Sequence, residues 1–71
     1  MTVSRIRVFT QDRKLFAVYY TKGWPGFMDS GMMQFHRLDN NEWVQIAGGV
    51  IIVVEEHQGP VIEPQGLREV D

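Results

Sequence analysis

The chain has 71 residues, 44% of them hydrophobic, no cysteine and a formal net charge of −2. That length allows one small domain, and the missing cysteines exclude disulfides and thiolate metal sites. The slight acidity argues against non-specific attraction to nucleic acid or anionic lipid, so such contacts would need a local basic face.

Residues 3–10 read as a strand, with Ile6 and Val8 on one face and Arg5 and Arg7 on the other. Gln11, Asp12 and Arg13 make a polar turn of hairpin length. Residues 14–21 return as a second strand, apolar on both faces from Leu15 to Tyr20, which predicts an interior place or cover on both sides. Residues 22–31 then break the pattern. Gly23, Gly26, Gly31 and Pro25 oppose regular structure, yet Trp24, Phe27 and Met28 are apolar groups that ordinary surface loops hold less often.

Residues 28–38 fit two local structures. Phe27, Met28, Gly31, Met32, Phe35 and Leu38 recur at helical spacing with Asp29 or Ser30 as a cap, giving a ββαββ alternative with a short helix near 28–37. Gly31 would cost that helix about 1 kcal/mol relative to Ala. The turn residues Asp39, Asn40 and Asn41 also suit a hairpin, so a strand over 32–38 is expected. Residues 42–47 form the next strand, burying Val44 and Ile46 and turning Trp43 to the opposite face. Gly48 and Gly49 lead into the most apolar stretch, a strand over 50–56. Val61 and Ile62 predict a short edge strand at 60–63, and residues 67–71 are expected to be mobile.

Five short strands with tight turns define an all-β domain over residues 1–58, a five-stranded antiparallel meander sheet or a small SH3-like barrel. Residues 59–71 follow as an extended acidic tail. A core this small gives the domain reason to pair with a copy of itself, so a homodimer is expected, through an edge strand or the aromatic loop. The first residues lack an apolar signal core and residues 50–54 are far too short to cross a bilayer, so a soluble cytoplasmic protein with no membrane role is expected.

The chemistry-bearing residues are few. Ser4, Ser30, His36 and His57 supply the types for nucleophilic catalysis, but none sits in a nucleophile elbow, and His36 falls opposite Phe35 on its strand. No catalytic site is expected, and the protein is read as a non-enzyme. Glu55 and His57 share a strand face and Glu63 could join them, yet acidic residues after an apolar run commonly guard a strand end, so no metal is expected. Gly48 and Gly49 lack the following helix and lysine of a phosphate loop, and no cofactor is expected.

Charge is divided along the chain. Residues 1–37 carry a balance of +4 and residues 38–71 one of −6. Cross-strand ion pairs between the halves explain this most simply. A basic face would instead use Arg5, Arg7, Lys22 and Arg37 as nucleic-acid contacts, beside Lys14, Tyr20, Trp24 and His36. The leading expectation is a protein-interaction module, an accessory or inhibitor that binds a larger macromolecule. Its contacts would be Trp24, Phe27, Met28, Tyr20 and Trp43, types enriched in interface cores. A competing role for Trp24 and Phe27 is a lid over an open barrel end.

Overall fold

A computed structural model describes residues 2–68; Met1 and residues 69–71 lie outside the described residues. β1 (Val3–Phe9) and β2 (Leu15–Lys22) pair antiparallel, with Ile6 opposite Tyr19 and Val8 opposite Ala17. β6 (Ile51–His57) lies on the other side of β1, and the two-residue β7 (Gly66–Leu67) lies on the far side of β2. The order is therefore β6-β1-β2-β7. β3 (Gly26–Phe27), β4 (Met33–His36) and β5 (Trp43–Ile46) make a second antiparallel sheet in sequence order.

Alternation in β1 sets the core. Ile6 and Val8 point between the sheets, joined by Ala17 and Tyr19 of β2 and capped by Met33 and Phe35 of β4. The Tyr19 and Phe35 rings meet at 5.4 Å with a tilt of 58°, within the range aromatic pairs favour. Val44, Ile46, Val50, Ile52 and Val54 pack around this centre and remain half-buried, apart from the fuller burial of the middle. β2 is buried on both faces: Ala17 and Tyr19 face the core, while Val18 and Tyr20 lie on the Arg5 and Arg7 face, and the register slips only at Phe16. Val8 faces Ala17 while Phe9 faces Leu15, a bulge that bends the strand.

The turns follow from their residues. Arg37 N donates to the Glu42 carbonyl at 2.8 Å, Asn41 takes a φ of 60°, and Asn40 Oδ1 accepts from Glu42 N at 3.0 Å. Asn tolerates that left-handed conformation, as the Asp39–Asn41 run implied.

Three expectations are corrected. The all-β class holds, but the five-stranded meander does not: the described residues form two sheets with seven strands, and β5 and β6 do not pair to close an SH3-like barrel. The helix near 28–37 is absent. Met28 N donates to the Met32 carbonyl at 2.8 Å and Gly31 adopts a φ of 86°, so this segment turns and then pairs as β4. Backbone groups a helix would satisfy internally are satisfied across β3 and β5 instead.

The edge strand anticipated at 60–63 occurs at Gly66–Leu67. Gly66 has a φ of 111°, which only glycine adopts readily, and Gln65 Oε1 accepts from Tyr20 N at 3.1 Å just before it. Arg68 N donates to the Phe16 carbonyl at 2.7 Å, so residues 63–68 lie along the four-stranded sheet. Of the stretch expected to be mobile, Leu67 and Arg68 are hydrogen-bonded into that sheet and the remainder lies outside the described residues.

Met33 is fully buried between the sheets. Met33→Ala should cost about 2–5 kcal/mol, against the ~3–5 kcal/mol that a core of this size supplies. Urea unfolding followed by circular dichroism should find the variant's midpoint moved far toward zero denaturant. The exposed Met28→Ala should stay within about 0.5 kcal/mol of the parent.

Candidate functional site

The outer face of the three-stranded sheet is set by its register. Phe35 and Val44 turn inward as partners, so the next pair, His36 and Trp43, turns outward. Their rings meet edge-on with centroids 4.6 Å apart. Trp24 reaches the same place from the β2–β3 connection. Ser4 Oγ donates to the Gly23 carbonyl at 2.5 Å and Gly23 N donates to the Thr2 carbonyl at 2.7 Å, which anchor the chain at β1. Gly23 takes a φ of 67° there, and Pro25 is buried immediately after Trp24.

Trp24, Pro25, His36 and Trp43 thus line one open cleft of about 510 Å³. Gln34, Asn41, Lys22 and Arg37 add polar and cationic groups to its wall. Trp24 is 58% and Trp43 50% exposed. Two indoles left this open are held as surface, so Trp24 is not a lid on the core. Phe27 and Met28 are also exposed, but they stand at the neighbouring β3–β4 turn and do not line the cleft.

The other residues singled out in the sequence lie elsewhere. Tyr20 is only 2% exposed and presents no contact surface. Its hydroxyl donates to Glu63 Oε1 at 2.9 Å on the outer face of the four-stranded sheet. Arg5 donates through Nε and Nη2 to the two oxygens of Glu63 at 2.9 and 3.0 Å, and through Nη1 to Glu55 at 3.2 Å. Arg7 reaches the same Glu55 at 3.4 Å. The charge division along the chain is therefore partly spent in cross-strand pairs, which engage Arg5 and Arg7 with Glu55 and Glu63.

Within the cleft, Arg37 makes a two-pronged bond to Asp39 at 3.0 and 2.7 Å and lies 5.4 Å from the Tyr19 ring. That leaves its guanidinium largely committed. Lys22 makes no ion pair among the described residues.

Glu55 and His57 share a face, but Glu63 is held by Arg5 and Tyr20, while His57 Nε2 lies 3.2 Å from the Pro60 carbonyl. Among the described residues no three carboxylate or imidazole groups gather as a metal site would require. Gln34, Asn41 and Pro25 were not anticipated as cleft residues. A signal for Gln34 was available, because pairing Phe35 with Val44 places it on the His36 face.

Comparison with models of protein families, with curated proteins and with solved structures finds no match.

The ion cluster has a pH signature. Burial pushes the Glu63 carboxyl up, but hydrogen bonds from Tyr20 and Arg5 outweigh it and hold the group below the usual glutamate range. Asp39 is also held low, chiefly by Arg37. A carboxyl lowered by folding contributes stability above its unfolded-state pKa, and that contribution is lost as pH falls through the folded-state value. The domain should therefore weaken on acidification below about pH 5. Glu63→Gln should lose roughly 1–2 kcal/mol at neutral pH and flatten that acid limb, as thermal melts across pH would record.

Proposed function

We propose that this domain is a non-enzymatic interaction module, an accessory or inhibitor whose Trp24–Trp43 cleft takes an extended segment of another protein. The observation carrying this reading is the convergence of Trp24, from the β2–β3 connection, and Trp43, from β5, onto one open cleft. Tryptophan supplies large contact area at little entropic cost and is enriched among residues that dominate binding energy.

The wall chemistry favours a proline-containing segment. Such a segment is already extended before binding, packs its rings against indoles, and leaves its carbonyls unpaired. Trp24, Trp43 and Pro25 supply the apolar wall, while the indole N–H groups, Gln34 and Asn41 supply donors for those carbonyls.

A nucleic-acid reading rests on Lys22 and Arg37 lining the same cleft as the two indoles. It is the weaker of the two, since Arg37 is engaged by Asp39, and Arg5 and Arg7 are engaged by Glu55 and Glu63.

Tryptophan emission titrated with matched proline-containing and proline-free peptides should change for the former. Trp24→Ala and Trp43→Ala should each weaken that binding at least tenfold, and Phe27→Ala much less. A folded double tryptophan variant that kept its peptide affinity would remove the cleft from the mechanism. Oligonucleotide binding that fell steeply between 50 and 200 mM salt, about 10³-fold for several phosphate contacts, would instead favour nucleic acid.

A further inference from the structure

We propose that β6 pairs antiparallel with β6 of a second copy, joining two four-stranded sheets across a two-fold axis at Ile52. This interface lies apart from the Trp24–Trp43 cleft and does not depend on what the cleft binds.

The four-stranded sheet has two edges of different character. At one, β7 and the Tyr20–Gln65 bond cover β2. At the other, β6 presents seven residues, and no strand pairs with its outer side among the described residues. Edges of this length are usually interrupted by charge, proline or a bulge. Residues 50–54 carry none of these, and the first charges arrive at Glu55 and Glu56. Ile51 is 40% exposed at this edge and, with Phe9, Val53 and Arg13, borders a shallow outer-face hollow of about 290 Å³.

The occupant is decided by self-complementarity. A two-fold axis perpendicular to the sheet pairs residues of the same face, which restricts the register to steps of two. Centred on Ile52, the pairing sets Val50 opposite Val54 and Ile51 opposite Val53, apolar throughout. Glu55 and Glu56 then reach past the start of the other copy's β6 to its bend at residues 48–50, where Gly49 takes a φ of 76°. Neither a like charge nor an apolar strand residue faces them there. Centring on Val53 or Val54 would instead place both glutamates against apolar residues. The favoured register also carries the second copy's Glu55 toward the Arg13 end of the edge. Arg13 makes no ion pair among the described residues, so the ends of the pairing are complementary in charge.

The full chain should sediment at micromolar concentration as twice its 8.2 kDa mass. Ile51→Lys, at an exposed position, should weaken the dimer at least tenfold while keeping a β circular dichroism spectrum. Because the chain has no cysteine, a single one reports register. Under mild oxidation Ile52→Cys should cross-link to its own copy. Glu56→Cys should not, since its counterpart would lie about 27 Å away along the paired strands. If Ile51→Lys fails to fold, the two cysteine variants decide alone. A chain that is monomeric at all concentrations would overturn the proposal. So would a dimer indifferent to Ile51→Lys, equal cross-linking of the two cysteines, or loss of the dimer in Trp24→Ala with Ile51→Lys unaffected.

Discussion

Contact between the two sheets, made by Met33 and Phe35 against Ile6, Val8, Ala17 and Tyr19, is the interaction on which the rest of the structure depends. Each sheet buries its apolar face on the other. A three-stranded sheet with one apolar face gains little until that face is covered, and a four-stranded one leaves its central residues in water. Once they meet, the odd and even positions of every strand acquire fixed roles. The inward positions of β4 and β5 become core, and their outward neighbours His36 and Trp43 become the floor of the cleft.

The same alternation gives β1 two jobs. Its even residues fill the inter-sheet core, while Arg5 and Arg7 face outward and gather Glu55 and Glu63. Glu63 belongs to the segment that ends in β7, so the ion cluster and the β2–β7 ladder hold one segment at two points. Individual ion pairs at such exposure are weak, but a carboxylate receiving an arginine fork and a tyrosine hydroxyl is more strongly placed than an isolated pair. Of the cations that in the linear sequence resemble a nucleic-acid face, Arg5, Arg7 and Arg37 are engaged by carboxylates, while Trp24 and Trp43 stay open beside Lys22.

Outside the packed centre stand the cleft with its open indoles and the long outer edge of β6, which no strand pairs among the described residues. The cleft is lined from both sheets, whereas the edge belongs to the four-stranded sheet alone. The cleft offers aromatic side-chain area and polar groups from Gln34 and Asn41. The edge offers backbone groups flanked by short apolar side chains, suited to another strand. A small domain that left both exposed would carry an aggregation hazard, and self-pairing of the edge is a way to remove it.

Legible in the linear order of residues were the β class, the turn at Asp39–Asn41, the inward places of Ile6, Val8, Phe35, Val44 and Ile46, and the outward places of His36 and Trp43. Each follows from period-two alternation or from a residue's own backbone preference, and these act over a few neighbouring positions. Tertiary structure alone decided that the strands divide into two sheets, that Tyr20 is buried under Glu63 while Trp24 stays open, and that Gly66–Leu67 forms the last strand. Those outcomes rest on contacts between residues such as Tyr20 and Glu63, 43 positions apart. Local pattern shows that a side chain leaves a strand on one face or the other. Which segment arrives to cover that face depends on how the whole chain closes.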